Sequence, residues 1–254
     1  MNLDIPIAEM LAILLGACRT GAWMAICPPF NSRLIPGPVK ALLSVGMTLP
    51  MAPYLQGTLP SMETSALIAS ILLQVAVGIG LGAVTALLFS ALQAAGDLLD
   101  LFGGFQLATA YDPMGYSQAS IFGRFYNLIA ITLLFASDGH QLILRGFLQS
   151  FRTLPLDTTF SMETFSRLLV AGIGEMFLSA LQIAGPLICV LFLSDVALGL
   201  LNRVAPALNA FQLGFPVKIL LVVSTVGLAV SMLPGIVHNL VERAVAAVLH
   251  LSGG

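Results

Sequence analysis

Long apolar runs without a single charge constrain this fold more than any other feature of the sequence. Four such runs are 19 or more residues long and contain no Asp, Glu, Lys or Arg: residues 41–62, 64–96, 176–194 and 219–241. A helix needs about 20 apolar residues to cross the hydrocarbon core of a bilayer. Two weaker candidates are residues 10–30, which contain Arg19, and residues 125–137. The pattern predicts an all-α chain with four to six hydrophobic helices.

The composition excludes several functional classes. Charged residues make up 9% of the chain, against roughly 25% in an ordinary soluble domain. Disorder requires low hydrophobicity, whereas 58% of this chain is apolar, and a net charge of −2 offers no basic surface to nucleic acid. The three cysteines lie in apolar runs, so we expect small buried hydrophobes rather than a disulfide or metal site. No catalytic or cofactor-binding motif is found, so we expect no cofactor and no enzymatic activity.

Proline and glycine residues predict where the helices begin, end and pack. Residues 63–102 contain no proline and could form one helix of 40 residues, about 60 Å long and twice the thickness of the hydrocarbon core. Gly78 and Gly82 in this helix fit the small-xxx-small pattern of close helix packing. Pro28-Pro29 should end the first helix, and Leu154-Pro155 should separate a fourth helix from a fifth.

The last hundred residues predict a helical hairpin. Its arms run over about 162–204 and 215–250, and we expect Pro186 and Pro234 to kink them. The connection between the arms contains Arg203, Pro206, Asn209, Pro216 and Lys218.

Arg19, Asp97 and Asp100 are charged side chains that lie inside predicted apolar helices. Arg19 is costly in lipid, so we expect it to pair with a neighbouring subunit or to reach water; a role in proton relay or substrate binding is the alternative. Asp97 and Asp100 are one helical turn apart. We expect them to mark where the long helix leaves its apolar environment, and a cation site is the alternative.

Three stretches, in this order, resemble one protein family. They are residues 96–105 (GDLLDLFGGF) with Asp112-Pro113, residues 138–143 (DGHQLI), and residues 195–211 (DVALGLLNRVAPALNAF). Together they resemble the FliR family of type III secretion export-gate proteins, and homologous injectisome proteins share a looser form. The resemblance extends from about residue 10 to about residue 245.

The resemblance implies a subunit of the flagellar export gate, a multi-pass protein of the bacterial inner membrane at the flagellar basal body. It implies assembly with FliP-, FliQ- and FlhB-like subunits around a channel for unfolded flagellar proteins, with no nucleic acid and no catalysis of its own. It further implies a FliP-like part over about 1–160 and a FliQ-like hairpin over about 161–254, with Arg203 and Lys218 at its tip. Apolar helix length would be covered by partner subunits as well as by membrane lipid.

A channel wide enough for an unfolded chain must be sealed at rest. The sequence suggests a gate at Gly103-Gly104, whose backbone can move because glycine lacks a side chain. The predicted gate residues are Phe102, Gly103, Gly104, Phe105, Leu107, Asp112 and Pro113. An ordinary helix C-terminus at Gly103 is an equal alternative.

Two other functional classes remain open at this point. A small-molecule permease or channel would use ionisable residues in the middle of the membrane, such as Arg19 and Glu175. A membrane-embedded hydrolase would need a nucleophile and a base, and the sequence provides no recognisable pair. A permease would purify alone or as a homo-oligomer, whereas an export-gate subunit should need its partners.

Overall fold

The computed structural model describes residues 7–32, 34–61, 63–105, 120–157, 162–205 and 210–251. All regular secondary structure within these residues is helical, which confirms the predicted all-α class. The α-helices are α1 (Ile7–Ile26), α2 (Gly37–Thr48), α3 (Ala52–Leu55), α4 (Thr64–Gly103), α5 (Ile121–Ala136), α6 (Gly139–Thr153), α7 (Met162–Val204), α8 (Ala210–Val230) and α9 (Leu233–Leu251). Single 3₁₀ turns at Leu49–Met51 and Gln56–Thr58 flank α3.

The chain forms two compact units, each built from separated stretches of sequence. The first contains Met1–Leu88, Asp138–Ile173 and Val241–Gly254, and the second contains Phe89–Ser137 and Gly174–Leu240. Helices α4, α7 and α9 therefore contribute residues to both units. The expected division into about 1–160 and about 161–254 follows from the family resemblance rather than from these contacts, and it stays a prediction.

Three helices in the described part of the chain are long and apolar enough to cross a membrane. They are Ile7–Ile26, Thr64–Gly103 and Phe165–Val204, and the number rises to five if two bent helix pairs each count as one span. The single 40-residue helix expected from the proline-free stretch is confirmed as α4.

The first unit is organised around a buried stripe on α1. Its members recur at spacings of three and four residues, which places them on one helical face: Ala12, Leu15, Gly16, Arg19, Thr20, Trp23 and Met24. Helix α4 packs on this face through Gly78 and Gly82. A Cβ atom on Gly82 would lie 3.1 Å from the Trp23 carbonyl oxygen, and one on Gly78 would overlap the Arg19 carbonyl oxygen. The predicted small-residue contact is therefore present.

Proline sets most helix boundaries as expected, with two differences in the second unit. Pro186 lies inside α7, as expected, whereas Pro216 lies inside α8 rather than in the connection. The second arm is not one kinked helix, because it breaks between Val230 and Leu233 and its two segments are bent by 60°. Pro234 is the second residue of α9, a position that tolerates proline because the first amides of a helix have no intrahelical partner.

The cysteines differ in their environments. Cys27 is fully buried, and burial raises the pKa of its thiol, which keeps it protonated. Cys18 is half-buried, as a small hydrophobe can be, whereas Cys189 is exposed on α7. The expectation of three buried cysteines is therefore wrong for Cys189, which lies on a face that this chain does not cover by itself.

Candidate functional site

Arg19 occupies the centre of a buried polar cluster in the first unit. Its side chain is 0% exposed. The guanidinium donates from Nε to Gln74 Oε1 at 2.6 Å and from Nη1 to the Leu154 carbonyl oxygen at 2.8 Å. A longer contact of 3.4 Å joins Nη1 to the Ser150 carbonyl oxygen. The Phe151 ring covers the group, with its centroid 4.5 Å from the guanidinium carbon.

Among the described residues, dipoles rather than a carboxylate stabilise the charge of Arg19. The Ser150 carbonyl belongs to the last turn of α6, and Leu154 is the C-cap residue that follows it, so both lie where a helix carries partial negative charge. The aromatic face of Phe151 adds a cation–π attraction. The expectation that Arg19 pairs with a neighbouring subunit or reaches water is therefore wrong. A substrate-binding role also loses support, because these intrachain groups occupy the guanidinium.

Gln74 completes this cluster, and the sequence reasoning did not single it out. Its amide accepts from Arg19 and donates to the Leu156 carbonyl oxygen at 3.2 Å, so it bridges α1 and the segment after α6. The available signal was its spacing. Gln74, Gly78 and Gly82 recur every four residues, so one polar group lies on the same face of α4 as the two packing glycines.

Helix α4 ends in a hydrogen-bonded glycine cap. Gly104 has φ of 80°, the left-handed conformation that favours glycine. Its N–H donates to the Leu101 carbonyl at 3.3 Å, and the Phe105 N–H donates to the Asp100 carbonyl at 3.0 Å. This pair of bonds defines a Schellman motif. Gly103 is buried, and a Cβ atom there would lie 2.9 Å from the Phe105 ring and 3.0 Å from Val222 Cγ2.

The predicted gate residues are only partly described. Phe102 is 37% exposed, and Phe105 packs edge-on against Phe122 with ring centroids 5.3 Å apart. Leu107, Asp112 and Pro113 lie outside the described residues. The described part therefore accounts for both glycines as features of a helix end, and the gate stays a prediction.

Asp100 does not mark an exit from the apolar environment, because it is only 1% exposed. One oxygen of its carboxylate, Oδ2, accepts from the Ser120 hydroxyl and from the Phe122 N–H, the latter at 3.0 Å. It thereby satisfies the start of α5. Asp97 is half-buried, and a Cβ atom added to Gly123 would overlap its carboxylate. Within the described ranges, no three His, Cys, Asp or Glu side chains are placed to hold a metal ion.

Of the two charged residues predicted at the hairpin tip, Lys218 lies elsewhere. Lys218 lies in the body of α8, not at the hairpin tip as expected, and its Nζ is 2.6 Å from Asp195 Oδ1. A proline at position 216 does not stop α8, which extends back to Ala210 and so places Lys218 inside the helix. Arg203 lies exposed in the last turn of α7, while Pro206 and Asn209 fall outside the described residues.

The fold and the polar clusters define the class of protein. It is an all-helical protein with helices that could cross a membrane, and its described buried polar groups connect these helices to one another. The chain belongs to the family described as Bacterial export proteins, family 1, whose sequence profile matches residues 10–244. The resemblance seen in the three sequence stretches is thereby confirmed.

Individual relatives agree with this family over most of their length. The flagellar biosynthetic protein FliR of Pectobacterium carotovorum subsp. carotovorum is 36% identical over 223 residues, covering 87% of this chain and 85% of that protein. The Bacillus subtilis (strain 168) protein of the same name is 31% identical and covers 82% of each chain. The Escherichia coli (strain K12) protein is 32% identical over 79% of this chain and 77% of its own.

Proposed function

We propose that this chain is a subunit of the flagellar type III protein export gate and helps to form the channel through which unfolded flagellar proteins leave the cell. The observation that carries this proposal is the family match over residues 10–244, together with a flagellar relative that is 36% identical over 87% of the chain. The chain supplies channel wall and no catalysis, and the energy for export comes from other components.

The apolar faces of α7 and α8 support a multi-subunit assembly. Large side chains on both helices are exposed on the isolated chain, including Phe192 at 59%, Leu193 at 66% and Leu220 at 68%. An apolar surface of this kind marks contact with protein or lipid. The proposed partners are FliP-, FliQ- and FlhB-like subunits, with lipid of the inner membrane covering the remainder.

The proposed gate lies at the end of α4. Phe102 and Phe105 supply apolar bulk beside Gly103 and Gly104, and Leu107, Asp112 and Pro113 would complete it. Shortening residues 103–111 while keeping the complex assembled should make resting cells leak ions. An assembled complex that carries this deletion and shows no added conductance would leave the segment as an ordinary connection.

Co-purification tests the proposed assembly. A tagged chain is extracted in mild detergent from cells that produce FliP- and FliQ-like proteins, and the bound proteins are identified by mass spectrometry. We expect both partners with the wild-type chain, and much less of them when Phe192 and Leu193 are changed to Glu. The matched control carries Glu at Leu15 and Leu81, two buried residues of the first unit. The control should lower the amount of chain that can be extracted, whereas the first variant should lower the amount of partner bound per extracted chain. A stable monomer that transports a small solute would support a permease instead.

A further inference from the structure

One residue of α4 is bonded to both described ends of the connection between α4 and α5. The carbonyl oxygen of Asp100 accepts from the Phe105 N–H at 3.0 Å. Its carboxylate accepts from the Ser120 hydroxyl and from the Phe122 N–H. Phe105 and Ser120 are the last and the first described residues on either side of residues 106–119. Asp100 therefore anchors the point where the chain leaves α4 and the point where it enters α5.

The start of α5 is capped twice. Ser120 is the N-cap residue, and its hydroxyl oxygen accepts from the Gly123 N–H at 2.8 Å. The same hydroxyl donates to Asp100, whose carboxylate also takes the Phe122 N–H. The first amides of a helix have no partner within the helix and favour a negative group. An N-cap side chain normally comes from the helix itself, whereas here a second helix supplies part of the cap.

Two glycines bring the helices close enough for this arrangement. A Cβ atom on Gly96 would overlap the Phe122 carbonyl and the Gly123 nitrogen, and one on Gly123 would overlap the Asp97 carboxylate. Gly96 and Asp100 are four residues apart and share one face of α4. The backbone of α5 therefore lies directly on Gly96, and one turn later Asp100 reaches its first amides. This contact explains why Gly96 and Asp100 are four residues apart.

We propose that Asp100 is a positioning residue of the export gate. Acting through Ser120 and the Phe122 amide, it fixes the start of α5 against the end of α4, and its role depends on accepting hydrogen bonds rather than on carrying charge. The contacts of Asp100 are independent of the proposed function, but the test rests on it because secretion of flagellar protein is the quantity measured. The competing role is an ion- or proton-binding carboxylate, because Oδ1 of Asp100 is buried and has no partner within the described part of the chain.

Two pairs of substitutions separate these roles. Asp100→Asn removes the charge and retains an oxygen that can accept from Ser120 and Phe122, whereas Asp100→Ala removes both. Ser120→Thr retains the hydroxyl, whereas Ser120→Ala removes it. Glu175→Ala is the matched control, because it deletes an exposed carboxylate far along the sequence. Each full-length variant is produced in a deletion strain of a flagellated bacterium that lacks its own copy of the chain.

Three quantities are measured for every variant: the amount of co-purified complex, the flagellar protein secreted per complex, and the potassium leak of resting cells. We expect Asp100→Ala to lower secretion per complex about tenfold. The substitution removes a charge-assisted hydrogen bond and leaves the Phe122 N–H without its acceptor. Asp100→Asn, Ser120→Thr and Glu175→Ala should stay within about threefold of the wild type. Ser120→Ala should lower secretion per complex by less than Asp100→Ala does, and it should raise the potassium leak of resting cells.

Secretion lost equally in Asp100→Asn and Asp100→Ala, at unchanged amounts of complex, would overturn the proposal and assign a role to the charge. Normal secretion and leak in both Asp100→Ala and Ser120→Ala would overturn it as well. If Asp100→Ala yields no complex, the Ser120 pair decides, because equal behaviour of Ser120→Ala and Ser120→Thr contradicts the positioning role. Failure of the proposed function gives a different result, in which even the wild-type chain restores no secretion to the deletion strain.

Discussion

Replacing Arg19 with alanine should destabilise the first unit by about 3 kcal/mol. The substitution takes a charged donor from Gln74 Oε1 and from the Leu154 carbonyl, both of which lie at hydrogen-bond distance in a buried cluster. A hydrogen bond to a charged group contributes about 1.5–3 kcal/mol net, and two bonds at the low end give about 3 kcal/mol. The Ser150 carbonyl adds little, because it also accepts from the Leu154 N–H at 2.8 Å. The lost cation–π contact with Phe151 is offset by relief of guanidinium desolvation.

The single buried thiol of the first unit provides a probe that works inside an assembled complex. Cys27 is 0% exposed and becomes accessible to a maleimide only when its surroundings open. With Cys18 and Cys189 replaced by alanine, labelling of Cys27 in isolated membranes is followed as the temperature rises. A loss of about 3 kcal/mol should lower the midpoint by roughly 6–12 °C for a chain of this size.

Three further variants decide whether the reasoning is correct. Arg19→Met retains an unbranched apolar stem and should lose nearly as much as Arg19→Ala, whereas Arg19→Lys should be intermediate, since it keeps the charge without the planar donor fork. Arg152→Ala is the matched control, because Arg152 is an exposed cation in the last turn of α6. It should shift the midpoint by less than roughly 2 °C. An Arg19→Ala midpoint equal to that of Arg152→Ala would refute the buried-cluster argument.

Glycine and ion-pair substitutions give three more expected outcomes. Gly78→Leu should cost about 1–3 kcal/mol of stability by overpacking against the α1 backbone. Gly46 has open space around it, so Gly46→Ala should be neutral or stabilising. Cys27 labelling compares the two variants. Gly104→Ala should cost about 1–2 kcal/mol because of its left-handed φ, which proteolysis at the end of α4 would detect. Lys218→Met should change stability by less than about 1 kcal/mol, because its partner Asp195 is 46% exposed, and a large loss of thermal stability would contradict this.

Helix boundaries could be read from the sequence because local chemistry sets them. The proline-free stretch became α4, and Leu154-Pro155 ended α6, since proline excludes a helical residue before it. The close approach at Gly78 and Gly82 was also predictable, because small residues four apart allow two backbones to meet. These outcomes depend on residues within one or two helical turns of each other.

The partners of buried charges could not be read in the same way. Arg19 meets carbonyl groups 131 and 135 residues away, and a backbone acceptor at the end of a helix leaves no side-chain signal. The sequence predicts that Asp100 marks where α4 leaves its apolar environment, yet Asp100 is buried and its partner is the N-terminus of α5. The N-cap signal at Ser120, a serine immediately before an apolar helix, was available, but it does not reveal that a second helix shares the cap.

Secretion by a deletion strain tests the central claim most directly. A deletion strain of a flagellated bacterium that lacks only this chain is compared with the same strain carrying the chain on a plasmid, and flagellar subunit proteins are quantified in the medium and in the cells. We expect the deletion to abolish secretion while the subunits accumulate inside, and the plasmid to restore secretion. Cells that still secrete flagellar subunits and swim without this chain would contradict its assignment to the export gate.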